Sequence, residues 1–535
     1  MNKEIKIPWY KKGDIDAGLG TFFDSFSKII IAVPILTGVL NMSKQLVFGK
    51  VVAATGFTVF IFSLFNTLFA RNLGKKTQNK DITALFGGIS GTTLFVWLNA
   101  VMLPTYFASR DSTFAWSVAV GVSLIYSVLQ LILSLVFSSV FKFIPREALM
   151  GATVGGALTW MILSPMGEAF TTPWVIIPTL FILFTFYFGE IKPKFGSPAL
   201  IAIGIGTIIA WISGAMHVDN LRESFANLNF YLPSFQFGIL TNEALQIALN
   251  YLPLILAYLL AELTADMQAF AQAEESKEIY PARTALVGLS LSNLIGSLLG
   301  SPFLLNYYWG HPAWKKAEAG SSYPLFSGTA HLVLCLTGLV AVVTSLIPVS
   351  ASLVMLVYIG IVSGAGAFAT GRKRYYGAMM LGVAIPLFEL VNNKIFSVMN
   401  VMVNFSENSS DLIIEQTADG LMSTSDGSSA IIVSKLAEAG YAEGFITLAQ
   451  GAMTIAILYA SILYLLIDHN WLKTSAFFLV ATIFSFFGLI HAKELTINAN
   501  PALSLTYLGL AIIFLIIWLI SKRKKRKKLN MKKQV

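Results

Sequence analysis

The sequence predicts an all-α polytopic membrane protein, and composition and hydropathy both point to that fold class. Of the 535 residues, 56% are hydrophobic and only 12% are charged, whereas soluble proteins contain about 25% charged residues. The mean hydropathy is +0.71. Because a transmembrane helix needs roughly 20 mostly apolar residues, the chain has room for many spans. This composition excludes a soluble enzyme, a disordered chain and a nucleic-acid-binding protein.

Apolar stretches bounded by charges or by Pro and Gly clusters predict sixteen spans. The first seven are 22–40, 47–70, 84–107, 114–141, 148–165, 173–188 and 197–215. The other nine are 245–272, 284–300, 301–317, 324–346, 350–369, 375–393, 443–467, 472–490 and 502–520.

The distribution of positive charge supports an even number of spans. If the N-terminus is cytoplasmic and the spans alternate, 29 of the 37 Lys and Arg residues lie in cytoplasmic segments and seven lie outside. Cytoplasmic segments of membrane proteins are usually enriched in this way. The last fourteen residues carry nine of these charges and also favour anionic lipid. We therefore expect a multi-pass protein of the cell (inner or plasma) membrane with both termini in the cytoplasm.

Two spans contain residues that disfavour a straight helix. Residues 84–97 read ALFGGISGTTLFVW, and residues 300–314 read GSPFLLNYYWGHPAW. Irregular backbone at membrane depth is tolerated where protein buries it or where it lines a cavity. The interruptions lie in the third and tenth spans, and corresponding interruptions in two halves of a chain are typical of inverted-repeat transporters. The offset predicts two inverted repeats of seven spans, followed by two extra helices.

This offset divides the chain into predicted segments with distinct roles. They are a cytoplasmic N-terminal tail at 1–13, a first repeat at 14–215, an extracellular connector at 216–242, a second repeat at 243–467 that includes an extracellular loop at 394–442, two extra transmembrane helices at 468–521, and a basic cytoplasmic tail at 522–535.

Ionisable residues inside the spans are candidates for function, because charges at membrane depth are rare and usually functional. Asp24 and Lys28 are four residues apart in the first span, and Glu262 and Asp266 are four apart in the eighth. This spacing puts both members of each pair on one helix face. The first and eighth spans are repeat partners, so we expect the two faces to meet beside the interrupted spans. All four residues are predicted to take part in proton coupling.

Each of these assignments has a structural alternative, which for Asp266 is a solvated position at the end of its helix. Burial disfavours the charged form of a carboxyl, so Glu262 suits a group that exchanges a proton or hydrogen-bonds a polar solute, or one that joins two helices. Asp24 alternatively caps its helix or pairs with Lys28, and Lys28 alternatively extends to the interface. His311 follows the second interruption and either binds solute or shapes the turn. A single cysteine, Cys335, excludes a disulfide framework.

The residues around these interruptions resemble the xanthine/uracil permease family (nucleobase–ascorbate transporters), whose fold is shared with the sulfate permeases. Glu262 and Asp266 are similar to the Glu and Asp of that family's eighth span. Residues 87–93 and 300–312 resemble its third-span and tenth-span segments. The pattern GSPF…YxGHPxWK is similar to that of a bacterial branch of the family.

The resemblance implies two short central strands, in the third and tenth spans. It also implies a core domain of spans 1–4 and 8–11, a gate domain of spans 5–7 and 12–14, and a homodimer. The solute would lie between the strands. The residues implied to bind it are Glu262, Ser90, Ile89, Leu305, Asn306, Gly310 and His311.

Together these expectations describe a transporter rather than an enzyme. The expected activity is proton-coupled uptake of a nucleobase or a related planar heterocycle, by movement of the core domain against the gate domain. The alternative is a carrier of a small organic or inorganic anion, held by Lys28. Sodium remains open as the coupling ion, and the bilayer is the other expected partner. No cofactor, metal or nucleic acid is expected.

Overall fold

A computed structural model describes most of the chain, and nearly all of it is helical. The described residues are 5–136, 143–191, 193, 198–238, 243–404, 415–416, 422–423, 443–492 and 496–533. They form two compact units. Unit 1 comprises Met1–Phe141 and Ala157–Gly366, and unit 2 comprises Lys142–Gly156 and Ala367–Val535.

The first half of unit 1 contains the first interrupted span. Its elements are α1 (Gly13–Pro34), a π-helical turn (Ile35–Val39), α2 (Lys44–Leu46), a second π-helical turn (Val47–Val52), α3 (Ala53–Thr77), β1 (Gly87–Ile89), α4 (Gly91–Val96), a third π-helical turn (Trp97–Met102), α5 (Leu103–Ser109) and α6 (Ser112–Ser134).

Unit 1 continues after the part of the fifth span that belongs to unit 2. The first group is a π-helical turn (Ala157–Leu163), α8 (Ser164–Ala169), α9 (Pro173–Tyr187), α10 (Pro198–Ile212), α11 (Val218–Ser224), α12 (Glu243–Asn250), α13 (Leu252–Glu275) and α14 (Ala282–Leu298). The second group is β2 (Leu305–Tyr307), α15 (His311–Lys316), α16 (Tyr323–Thr337), α17 (Leu339–Leu346), α18 (Val349–Ser352) and α19 (Val354–Thr370).

Unit 2 is built mainly from the C-terminal helices. Its elements are α7 (Arg146–Gly156), the last residues of α19, α20 (Tyr376–Asn404), β3 (Glu415–Gln416), β4 (Met422–Ser423), α21 (Glu443–Ala449), α22 (Ala452–Ile467), α23 (Trp471–Phe486) and α24 (Pro501–Lys533). Strands β3 and β4 pair antiparallel. Arg372 donates to the Glu147 carboxylate, and its guanidinium also donates to the Tyr464 hydroxyl at 2.6 Å. This ion pair ties the residues before α20 to α7 inside the unit.

Every predicted span has one or more matching helices or strands among the described residues. In the described part of the chain, eight helices are long and apolar enough to cross a membrane, or up to ten when each bent helix pair is one span. Three shorter apolar helices, α9, α10 and α23, match the sixth, seventh and fifteenth predicted spans. Spans 6, 7 and 12 group with unit 1, so the compact units do not coincide with the expected core and gate domains.

Several predicted spans differ from the structure in shape or in where they end. The eighth breaks at Tyr251 into α12 and α13. The eleventh bends by 110° at Gly338, whose φ of 72° is readily adopted by glycine. Helix α20 runs to Asn404 and therefore includes residues 394–404, the first part of the predicted extracellular loop, with its apolar patch FSVMNVMV. Of the rest of the predicted loop, residues 405–414, 417–421 and 424–442 lie outside the described residues.

Strands β1 and β2 pair antiparallel at the centre of unit 1. The register aligns Gly87 with Tyr307, Gly88 with Asn306 and Ile89 with Leu305. One residue separates β1 from α4, and three residues separate β2 from α15. In two inverted repeats, corresponding segments run in opposite directions, and β1 and β2 do so, each followed by a helix. The predicted fold class, an all-α polytopic membrane protein with short strands in the third and tenth spans, is therefore confirmed.

Side chains supply hydrogen-bond partners for backbone groups on the outer edge of β2. The Asn293 amide donates to the Leu305 carbonyl at 3.0 Å and accepts from the Leu305 N–H at 2.8 Å. The same amide nitrogen donates to the Gln130 side chain at 3.0 Å. Backbone groups at membrane depth need internal partners because no water is available to them. Asn293, on α14, supplies these partners in place of a third strand.

Candidate functional site beside the paired strands

Glu262 lies where the two interrupted spans meet. Its Oε1 accepts a hydrogen bond from the Ser90 hydroxyl at 2.8 Å, and its Oε2 accepts one from the Asn306 amide at 2.8 Å. Ser90 directly follows β1 and caps α4, while Asn306 is the middle residue of β2. Glu262 is only 4% exposed. One buried carboxyl is thus hydrogen-bonded to a residue from each interrupted span.

Asp266 lies one helical turn after Glu262 and contacts backbone. Its Oδ1 accepts from the Tyr307 N–H at 2.8 Å, and its Oδ2 is buried without a hydrogen-bond partner in the described part of the chain. The residue is completely buried. Asp266 therefore holds the outer edge of β2, as Asn293 does further along the strand. Its predicted part in proton coupling stays a prediction.

Lys28 points to the strands rather than to the membrane surface. Its ammonium donates to Asp24 Oδ1 at 2.5 Å and to the Tyr308 hydroxyl at 2.9 Å. The ammonium also lies 4.2 Å from the centre of the Tyr308 ring. The Lys28 side chain is 16% exposed. Of the alternatives for Lys28 and Asp24, the structure has the one in which they pair.

Tyr308 and Ser25 join α1 to the outer edge of β1. The Tyr308 hydroxyl donates to the Ile89 carbonyl at 2.8 Å, and the Ile89 N–H donates to Ser25 Oγ at 3.2 Å. Sequence reasoning missed both residues as site members. Tyr308 stands in the YxGHP pattern, so a signal for it exists, whereas Ser25 has none beyond its place next to Asp24. Ile89 and Leu305, two predicted solute contacts, face each other across the strands.

Gly310 and His311, two further predicted solute contacts, form hydrogen bonds with Gln272 and Glu278 rather than with the Glu262 group. The Gly310 N–H donates to Gln272 Oε1 at 2.7 Å. Its φ of 118° favours glycine, and an added Cβ would lie 2.4 Å from the Ile359 side chain. His311 Nε2 is 2.7 Å from Glu278 Oε2. The structure therefore groups Glu262, Ser90 and Asn306 together, and joins His311 to Glu278 instead.

Glu278 is the centre of a separate buried ionic cluster. Its Oε1 accepts from the Lys315 ammonium at 2.5 Å and from the Thr83 N–H at 3.1 Å, while Oε2 faces His311. Burial raises the pKa of the Glu278 carboxyl, but the hydrogen bonds and charges of His311 and Lys315 lower it by more, so the pKa lies below its ordinary value. The cluster fastens α15 to the segment between α13 and α14.

A pH dependence of stability follows from this cluster. Because the pKa of Glu278 is lower in the folded state, its contribution is present above the ordinary value of 4.5 and is lost as the pH falls through the folded pKa. We expect Glu278→Gln to lower the free energy of unfolding at neutral pH by about 1–3 kcal/mol and to weaken its decline in acid. Thermal unfolding of the detergent-solubilised protein across pH measures both effects. The exposed Glu223→Gln is the control, and a Glu278→Gln pH profile equal to that of the parent would contradict the prediction.

One small cavity lies between the strand site and this cluster. Its lining includes Tyr308 from the site and His311 from the cluster, together with Leu85, Phe86, Trp314 and Tyr323. Among the described residues, no group of three or more His, Cys, Asp or Glu residues is arranged to hold a metal ion. The strand site presents the Glu262 carboxyl with the Ser90 hydroxyl and the Asn306 amide as hydrogen-bonding groups.

Comparisons with known proteins give structural similarities only. No protein-family model and no curated protein matches the chain. The chain is similar to the transmembrane domain of the cyanobacterial bicarbonate transporter BicA, with 16% identity, 71% of this chain and 97% of that chain covered, and a TM-score of 0.40. It is also similar to the structure of SLC26A9, with 11% identity, 76% of this chain and 69% of that chain covered, and a TM-score of 0.42. Values this low assign neither an activity nor a substrate.

Proposed function

We propose that the protein is a secondary active transporter that moves a small polar solute together with protons. The observation that carries this proposal is the Glu262 carboxyl, which is buried and bonded to Ser90 and Asn306 from the two interrupted spans. Ionisable groups in such positions are costly to keep and usually serve transport. Interrupted spans of inverted repeats are the usual place for a central solute site.

The geometry supports a simple sequence of events. An arriving solute replaces the hydrogen bonds that Ser90 and Asn306 make with Glu262. A protonated Glu262 is neutral and donates to the solute, while an ionised one only accepts. Because solute and proton share this carboxyl, the binding of one alters the binding of the other. Rearrangement between outward-open and inward-open states then moves both together.

For the substrate class, we favour a small anion. The supporting observation is the Lys28 ammonium, which is held beside the strands, close to Tyr308 and Ile89. A cation kept at membrane depth suits an anionic solute better than a neutral one. The second candidate is a nucleobase, favoured by the Glu262 carboxylate, whose oxygens can accept from the N–H groups of a planar heterocycle.

Uptake into proteoliposomes tests this function. An inward proton gradient would be imposed on vesicles that contain the full-length protein, with labelled formate, nitrate, bicarbonate, uracil, xanthine, guanine and adenine tested one at a time. Accumulation of one class that stops when an uncoupler is added supports the proposal. Absence of gradient-driven uptake across the panel would count against it.

Replacing Lys28 with Gln separates the two substrate classes. The substitution removes the charge at the strands but leaves a polar side chain. We expect anion uptake to fall by at least about tenfold, which corresponds to the loss of a charge-assisted contact of about 1.5–3 kcal/mol. Uptake of a neutral base would stay near the parent level. Lys50→Gln is the matched control, since Lys50 is a half-buried lysine that contacts Trp116 instead. Unchanged anion uptake in Lys28→Gln would contradict the anion assignment.

A further inference from the structure

Asp24 and Lys28 form an ion pair on the face of α1 that meets the strands. We propose that Asp24 is a built-in counterion that competes with the transported anion for Lys28, so that anion binding takes up a proton on Asp24. This inference rests on the proposed transport of a small anion and adds to it a role for Asp24 separate from that of Glu262.

Lys28 is placed so that its ammonium can bind either Asp24 or an incoming anion. Its ammonium has three N–H donors, and in the described part of the chain two of them go to Asp24 Oδ1 and the Tyr308 hydroxyl. Gly91, at the start of α4, has no side chain, and an added Cβ there would lie 3.5 Å from Lys28 Cε. An incoming anion can therefore approach the ammonium past Gly91.

Charge balance turns this pair into a proton-linked site. With Asp24 ionised, the pair is neutral and offers an anion little attraction. With Asp24 protonated, Lys28 keeps its charge and lacks a counterion, so a buried anion restores neutrality. Buried charges are stable only when they are paired. By thermodynamic linkage, anion binding then favours protonation of Asp24 as much as protonation favours anion binding.

Other charged or titratable groups near the pair come from three neighbouring elements. Tyr308 follows β2 and donates to Ile89, Glu262 lies on α13, and His331 lies on α16. The His331 ring is 4.8 Å from that of Phe22, and its Nδ1 is 2.9 Å from the Ser327 carbonyl. Among the described residues, the π-helical turn, β1, α4, α10 and α18 also pack against α1 and carry no charged or titratable side chain, while Tyr187 on α9 and Tyr358 on α19 lie near Asp16, two turns before Asp24 on α1. Glu262 is therefore the group that must be separated from Asp24 by experiment.

Anion binding to the full-length protein in nanodiscs, measured across pH, makes this separation. The probes are sodium nitrate, sodium formate and sodium chloride, with sodium gluconate at equal ionic strength as the reference. These three anions keep their charge between about pH 5 and 8, so any pH dependence belongs to the protein. Affinity is read from the rise in unfolding temperature with anion concentration.

The proposal predicts a different pH profile for each variant. Parent affinity falls by about tenfold per pH unit where one proton is linked to one anion. Asp24→Asn loses most of this slope and binds at least about tenfold more tightly than the parent at the upper end of the range. Glu262→Gln keeps the part of the slope that depends on Asp24, and Lys28→Gln does not bind.

Two results would overturn the proposal. If Asp24→Asn keeps the parent slope while the parent still transports the anion, Asp24 is not the competing counterion and the proposed function stands. If the parent binds none of the probes but takes up a nucleobase, the anion class fails and this inference fails with it. Proton uptake by the parent, followed with an indicator dye in weak buffer, gives a test that needs no variant. About one proton per bound anion is expected, and none would contradict the proposal.

Discussion

Glu262→Gln is expected to lower proton-driven accumulation of solute by at least about tenfold while the protein stays folded, because at most the proton proposed for Asp24 then remains coupled to transport. Gln keeps a carbonyl oxygen for the Ser90 hydroxyl. The amide N–H of the new glutamine can donate to Asn306 Oδ1 if the Asn306 side-chain amide rotates by about 180°. Asn306 Oδ1 is available for this bond, because it has no hydrogen-bond partner among the described residues. The substitution thus preserves packing and hydrogen bonding but removes the group that exchanges a proton.

Downhill exchange of labelled solute separates coupling from binding in this variant. A carrier that has lost only its proton site still exchanges solute when no gradient is imposed, whereas an unfolded one does not. Glu223→Gln, which removes an exposed carboxyl from α11, is the matched control. Proton-driven accumulation by Glu262→Gln at the parent level would show that another group carries the proton.

Gly87→Ala is expected to prevent the two strands from pairing, so that little folded protein is recovered and uptake is lost. An added Cβ at Gly87 would lie 2.0 Å from the Asn306 carbonyl oxygen and 2.6 Å from the Phe62 ring. Real Cβ contacts this close do not occur, and the oxygen belongs to backbone that cannot move without breaking the pairing. Unpaired backbone at membrane depth is unfavourable by several kcal/mol per group.

Gly91→Ala is the control for the folding effect of that substitution, and not for uptake, because Gly91 borders the proposed path to Lys28. It adds the same methyl group four residues later, where the nearest atom is Lys28 Cε at 3.5 Å, an ordinary contact. Yield and size-exclusion profile in detergent, compared between the two variants, measure the effect. A Gly87→Ala protein that is monodisperse and active would mean that the close strand packing is not required for the fold.

The sequence was enough to predict the spans and the two interruptions, because membrane depth imposes its own pattern. Each span needs a long apolar run, and each interruption gathers Gly, Pro and polar residues at 84–97 or 300–314. The four-residue spacing of Glu262 and Asp266 likewise predicted one shared helix face. These features depend on neighbours in sequence, and the protein contains the predicted helices and the two paired strands.

Contacts between distant residues were beyond sequence reasoning. Lys28 meets Tyr308 across 280 positions, and Asn293 completes the edge of β2 from another helix. No spacing rule predicts either contact. His311 follows an interruption as closely as Ser90 does, yet its ring pairs with Glu278 because the positive φ of Gly310 begins a new helix there. The turn geometry, rather than the residue type, decides where that ring lies.

The measurement that tests the central claim most directly is lumenal pH in proteoliposomes, recorded together with labelled solute, when an inward solute gradient is applied without any initial pH gradient. The account predicts that solute entry acidifies the lumen in the parent protein and that Glu262→Gln moves fewer protons per solute, at most the one proposed for Asp24. Solute entry with no change in lumenal pH, or an equal change in the Glu262→Gln variant, would contradict proton-coupled transport through this carboxyl.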